Sequence, residues 1–305
     1  MPETIPVLTP EELAHLGTME TNAAVAKLLN IWLDTPITGW DLDFSVGRKF
    51  LRTQMPERKL LVGEGWHNPE GSLDYLTHFL AERLSQSQGL WGKIMVRIAV
   101  LGVCVAQKIT NSQEKAEKID LAVMGGDFSG VLAGAYLKRM GFPVGTLVCC
   151  CNENNRLWEL VHLGGTATGG VTVATRTPEL DVLLPQGLEH WLYLLGGSKA
   201  AVEYAQCVYM GEDYTPGEEL LKCMRQELYV SVVSDRRMEF TLETAGTLLS
   251  PYDALIYAGV QDYRAKNGEY VYCLMLSEKS PALCADTLAQ VLHTTPDAVL
   301  TRLRR

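Results

Sequence analysis

Val123-Met124-Gly125-Gly126-Asp127-Phe128-Ser129-Gly130 is the stretch whose reading decides the fold. The apolar run Ile119 to Met124 before it reads as a strand, and Gly130 to Met140 after it reads as a helix stopped by Gly141-Phe142-Pro143. A second strand, Thr146 to Cys151, follows. Strand, helix and strand make a β-α-β unit, and the right-handed crossover rule then implies a parallel sheet. The glycines let successive backbone N–H groups approach an anion, and the helix adds the positive end of its dipole. Gly125, Gly126, Asp127, Phe128, Ser129 and Gly130 are therefore a candidate phosphate cradle. A glycine turn between strand and helix is more often only a turn, so the reading needs support from the rest of the chain.

Outward from this unit the sequence keeps the same character. Upstream, Glu20 to Trp32 and Gly71 to Leu84 have helical period, Leu60 to Gly63 reads as a strand, and Trp91 to Ile109 is apolar on all sides, as a buried helix is. Lys93 and Arg97 interrupt that run, and no uninterrupted apolar run reaches the length a bilayer span needs. Downstream, a helix reaches about His162, Gly164 to Gly170 reads as a loop, and helices follow near 187–195, 198–210 and 216–228. The end alternates again: helix Ser250 to Arg264, strand Tyr270 to Leu276, then two short helices. The class is α/β.

Composition removes several function classes. With 305 residues, 47% of them hydrophobic and 21% charged, the chain has material for a sizeable core. A formal charge of −9 with only short basic clusters, Arg236-Arg237 and Arg302 to Arg305, argues against a nucleic-acid partner. Met1-Pro2-Glu3-Thr4 has no basic region leading into an apolar one, so the expectation is a cytoplasmic protein off the membrane. Of eight cysteines, Cys149, Cys150 and Cys151 are consecutive, and neighbours on a strand point to opposite faces. The triplet cannot gather on one metal ion, and buried reduced thiols are the expectation. The six histidines include no i, i+4 pair, and no G-x-S-x-G elbow offers a serine nucleophile. No metal site is expected. Asn152 and Asn154 follow the end of a strand, where open α/β sheets place ligands, and are further candidates.

Val123 to Gly134, V-M-G-G-D-F-S-G-V-L-A-G, resembles without a gap the V-P-T-G-N-F-G-N-I-L-A-G segment of threonine synthases, where the loop holds the phosphate of pyridoxal phosphate. Tyr136 to Asn154 is similar to that family's Y-A-K-R-M-G-L-P-I-x-K-L-I-V-A-T-N-E-N, and Thr175 to Leu195 to its T-L-S-P-x-M-D-I-Q segment. Leu248 to Ala254 resembles L-L-D-P-H-T-A, Leu276 to Ala282 resembles L-S-T-A-H-P-A, and Phe44 to Gly65 resembles the stretch that ends V-x-V-E-G. Leu16 to Ala24 lies where the family reads G-A-T-S-G-D-T-G-S-A-A. The resemblance implies a two-lobed, fold type II pyridoxal-phosphate fold like the tryptophan synthase β chain, with parallel sheets flanked by helices. Residues 1–100 would form a partial N-terminal lobe and 101–305 the larger lobe.

The departures from the family pattern carry the functional expectation. The family's Schiff-base lysine lies in an F-K-D motif upstream of the S-G-D-T-G loop; this sequence has no F-K-D, and only fifteen residues precede the match at Leu16. The S-G-D-T-G loop itself reads Met19-Glu20-Thr21-Asn22. Asp127 stands where the family has Asn and would set a carboxylate against a phosphate. Asp253 stands where the family has a hydroxyl facing the pyridine nitrogen; it could bond a protonated ring, or cap the helix that begins at Ser250-Pro251. The resemblance thus implies a family of lyases of amino-acid biosynthesis, and the departures imply a chain inactive alone, with no catalytic residue to name. Two alternatives stay open: one half of a split enzyme making threonine from O-phosphohomoserine, and a sensor of a small phosphorylated metabolite. A shortened first lobe would bare apolar surface, which a second copy or a complementary chain would cover.

Overall fold

The computed structural model describes residues 4–83, 89–111, 118–268 and 271–303. The first elements are α1 (Pro10–Thr18), α2 (Thr21–Leu29), α3 (Gly39–Leu42), β1 (Arg52–Glu57), β2 (Leu60–Glu64), α4 (Asp74–Arg83) and α5 (Leu90–Asn111). There follow β3 (Ile119–Met124), α6 (Ser129–Arg139), β4 (Val144–Cys151), α7 (Arg156–Trp158), α8 (Leu188–Met210) and α9 (Glu218–Glu227). The chain closes with β5 (Leu228–Val232), α10 (Asp235–Thr244), α11 (Pro251–Asn267), β6 (Cys273–Ser277), α12 (Ala285–Val291) and α13 (Pro296–Leu303). The strands run in the order β1-β2-β6-β3-β4-β5. β1 pairs antiparallel with β2, while β2 with β6 and β4 with β5 are parallel, in register from Leu60↔Cys273 and Leu147↔Leu228.

Two compact units interleave along the sequence, and no single cut separates them. The first comprises 1–121, 133–145 and 270–285; the second comprises 122–132, 146–269 and 286–305. In the first unit, α5 is the central element. Ile94 to Ala106 is almost wholly buried, and 78% of its most apolar window lies inside the fold, so a helix long and apolar enough to cross a membrane is here a core helix. α1 and α2 pack on it, and Gly17 lets α1 approach so closely that a Cβ there would meet the Ala106 carbonyl at 2.4 Å. Arg97, the charge in the middle of this helix, is buried and held by Glu278, to which its Nε donates at 3.0 Å and its Nη2 donates a second bond. A buried arginine requires such a partner, because an unpaired charge would cost several kcal/mol.

α1 begins with a capping box: Thr9 accepts from the Glu12 amide, Glu12 accepts from the Thr9 amide, and Pro10 opens the helix. β1 has no apolar alternation; most of its residues are exposed and Pro56 lies within it, as befits an edge strand. In the second unit, β4 and β5 carry the core. Leu147 to Cys150 are fully buried, and α11 lies so close that a Cβ on Gly259 would sit 2.5 Å from Cys150 Sγ. α8 is two helices in succession, broken at Gly197, whose φ of 71° is open to glycine without strain.

Candidate functional site

Of the candidate residues in the second unit, the glycine turn and Asn152 and Asn154 follow the C-terminal ends of β3 and β4, while Asp253 belongs to the start of α11. The Gly125 amide donates to the Cys150 carbonyl at 2.9 Å, continuing the ladder past the end of β3. A Cβ at Gly125 would stand 2.5 Å from Cys151 Sγ, and one at Gly126 would stand 2.9 Å from the Glu179 carbonyl oxygen. Both positions therefore need glycine for close approach, although neither has a left-handed backbone. Phe128 does take that conformation, with φ at 67°, and its fully buried ring meets Trp191 edge to face at 5.7 Å. That contact anchors the turn to α8.

Asp127 decides what the turn can hold. Its Oδ1 accepts from the Ser129 amide at 3.0 Å and from the Ser129 hydroxyl at 2.5 Å. The amide is one of those a helix N-terminus leaves without a backbone partner, and the carboxylate sits where the dipole favours negative charge. Ser129 is buried, and Gly130 brings α6 against Val123. The anion-attracting end of α6 is thus capped by the chain's own carboxylate. A dianionic phosphate on the same donor would have to displace Asp127 and would then face it at a few ångströms.

Asn152 and Asn154 act as a clamp. The Asn152 Nδ2 donates to the Thr175 hydroxyl at 2.8 Å and to Asp181 Oδ1 at 2.7 Å, and its Oδ1 accepts from the amide and side chain of Asn154. Asn154 in turn donates to the Val173 carbonyl at 3.0 Å and accepts from the Val173 amide at 2.8 Å. Asp181 Oδ2 accepts from the Thr175 amide at 3.0 Å. Both asparagines are buried and hold the segment 173–181, whose Glu179 and Leu180 cover Gly126. Asp181 and Thr175 are members of the site that composition and spacing did not single out. Their signal lay in the similarity of 175–195 to the T-L-S-P-x-M-D segment, in which Asp181 aligns with the acidic residue.

Asp253 lies in the first turn of α11. Its Oδ2 accepts from the Ser250 hydroxyl at 2.8 Å and its amide donates to Ser250 Oγ at 3.0 Å, so the two form the N-terminal cap. The cysteine triplet divides as strand geometry requires. Cys149 and Cys151 share a face with their sulfurs 3.9 Å apart, while the Cys150 sulfur lies 3.8 Å from the Ile256 carbonyl. All three are buried and outside any disulfide, and the hydrogen bond to Cys151, with burial, holds the Cys149 thiol well above its ordinary pKa. Among the described residues no group of three or more His, Cys, Asp or Glu could hold a metal.

In the first unit, Met19 to Asn22, aligned with the family's substrate loop, forms the joint between α1 and α2. Glu20 caps α2 by accepting from the Ala23 amide at 3.1 Å. Asn22 is fully buried and donates to Asp43 Oδ1 at 2.6 Å and to the Gly47 carbonyl at 3.0 Å. The segment has the contacts of a packed joint.

No protein-family model matches the chain. Threonine synthase from Saccharomyces cerevisiae is 24% identical over 230 residues, which are 66% of this chain and 43% of that protein. Threonine synthase-like 1 from Mus musculus is 35% identical over 78 residues, 25% of this chain and 10% of that protein. The chain therefore matches less than half the length of these relatives. Among solved structures, yeast threonine synthase superposes with a TM-score of 0.80 at 14% identity, covering 96% of this chain and 84% of that one. A pyridoxal-phosphate-bound threonine synthase from Brucella melitensis gives 0.78 at 16% identity, covering 95% and 84%. The mixed, mostly parallel sheet flanked by helices is thus the fold type II architecture that the sequence resemblance implied. The sequence relatives and the fold thus agree: the chain is similar to threonine synthases in parts of its sequence and shares their fold.

Proposed function

We propose that this chain is a threonine synthase-like protein whose glycine turn no longer takes the phosphate of pyridoxal phosphate, so that alone it does not convert O-phosphohomoserine to threonine and works instead by binding a ligand or a partner chain. The observation that carries the reading is the Asp127 carboxylate on the Ser129 amide and hydroxyl. The residues present do not fit a phosphate dianion there, because the α6 N-terminus is worth about 1 kcal/mol to an anion and one carboxylate at contact opposes it by at least as much. Asn152, Asn154 and Asp253 support the same reading, since each is engaged with its own segment or helix cap.

In the same reading the protein is cytoplasmic and is completed by a second copy or a complementary chain. The exposed Trp40 and Phe44, 77% and 91% accessible, supply apolar surface in the first unit. The test is to incubate the purified protein with pyridoxal phosphate, reduce with borohydride, map any modified lysine by mass and assay threonine formation. The expected result is scattered, substoichiometric labelling and no threonine. A one-to-one adduct at a single lysine, with turnover, would overturn the proposal.

A further inference from the structure

At the opposite end of the β4–β5 pair from the glycine turn, beside Thr146 near the start of β4 and Leu228 at the start of β5, the second unit holds a cavity of about 360 Å³. Such a volume lies within the range of small-ligand sites. Its chemistry comes from His162, Arg225, Tyr229, Tyr263 and Asn267, and among the described residues no carboxylate lines it. Lys266 is not a lining residue but stands beside the cavity, its Nζ 5.5 Å from the centre of the Tyr229 ring. In a chain of net charge −9, two basic side chains and a histidine at or beside one concavity are a local inversion of sign.

Arg225 and Lys266 are exposed, but Arg225 and His162 are held in place by hydrogen bonds, and Lys266 lies over the Tyr229 ring. Arg225 donates from Nε to the Val161 carbonyl and from Nη2 to the His162 carbonyl, each at 2.8 Å. Those bonds fix the guanidinium plane and use two of its five N–H donors. His162 is stacked on Trp158 at 4.8 Å, and its Nδ1 lies 3.2 Å from the Trp158 carbonyl. In the neutral ring that bond keeps the proton on Nδ1 and leaves Nε2 to accept a second one. Tyr229 packs against Tyr263 at 4.9 Å and meets the His162 ring edge to face at 6.3 Å, giving the cavity aromatic walls. Burial lowers the His162 pKa most; the bond to the Trp158 carbonyl opposes it, and the charges of Lys266 and Arg225 add to the lowering.

We propose that this cavity binds a small organic anion, a carboxylate or phosphate on a flat apolar body, with Arg225 and Lys266 as counter-charges, His162 as a donor once protonated, and the tyrosine rings as the apolar wall. The site is independent of the glycine turn and does not require pyridoxal phosphate there. Two probes separate the acid groups: benzoate and phenyl phosphate, titrated while the His162 ring resonances and their pH dependence are followed by NMR. At least one probe is expected to saturate and to raise the His162 pKa. Lys266→Glu is expected to weaken that binding at least tenfold while leaving thermal unfolding unchanged. Arg225→Lys, which keeps the charge and loses the fork, is expected to weaken it less than Lys266→Glu. The absence of any saturable shift with either probe, or equal binding by the wild type and Lys266→Glu, would overturn the proposal.

Discussion

Replacing Asp127 by Asn restores the residue that threonine synthases carry at this point of the turn and removes one negative charge from the α6 N-terminus. The amide oxygen can still accept from Ser129, as Asp127 Oδ1 does at 3.0 Å, and Asn and Asp are equivalent as caps, so stability should change by less than about 0.5 kcal/mol. Anion affinity should not stay constant. A phosphate oxygen on the Ser129 amide would lie about 4 Å from a displaced carboxylate. Two unit charges at that distance repel by about 1 kcal/mol in water and by about 4 kcal/mol at an effective dielectric near 20. Asp127 is half-buried and Ser129 is buried, which places the case between those limits, at about 2 kcal/mol or about 30-fold in affinity. The assay is a titration of wild type and Asp127→Asn with inorganic phosphate and with pyridoxal phosphate, following the Ser129 amide resonance. Equal affinities in the two proteins would refute the argument that Asp127 guards the turn; so would a wild type that already binds tightly.

Other consequences follow from the packing. Arg97→Ala leaves Glu278 buried without its partner and should cost about 3–5 kcal/mol, whereas the double replacement Arg97→Met with Glu278→Leu should cost far less, both read by urea denaturation. Gly125→Ala drives a methyl to 2.5 Å from Cys151 Sγ and should cost about 1–3 kcal/mol; adding Cys151→Ala, which removes that sulfur, should recover much of it in thermal melts. His190 is depressed from 6.5 to about 4, chiefly by burial. The unfolded chain therefore takes its proton first, and this contribution to stability is full above pH 6.5 and lost as the pH falls toward 4. After allowance for solvent screening the loss is about 1 kcal/mol, and His190→Gln should flatten the melting temperature over that window.

How far the sequence could be read depended on which force shaped each element. The β-α-β unit from Ile119 to Cys151 was legible because apolar runs and glycine punctuation coincide there, and the break at Gly197 separated the two halves of α8 as their periods suggested. β5 escaped because Leu228 follows Glu227 without a breaker, so the helical period of α9 runs straight into the strand. β1 escaped because an exposed edge strand has no apolar face to betray it. α1 did carry a signal, the Thr9-Pro10-Glu11-Glu12 box, that was open to reading from spacing alone. At the site, the resemblance located the turn and flagged Asp127, but no pattern in the sequence states that its carboxylate folds back onto Ser129. Nor does the pair Asn152 and Asn154 announce that its partners are Asp181 and the backbone of Val173, because those contacts span nineteen to twenty-nine residues.

The most direct test of the central claim is a crystal structure of the protein grown in saturating pyridoxal phosphate. The account predicts the Asp127 carboxylate still on the Ser129 amide and no phosphate density at Gly125 to Gly130. Phosphate bonded to that amide, with Asp127 turned away and the cofactor ring ordered beside it, would contradict the account.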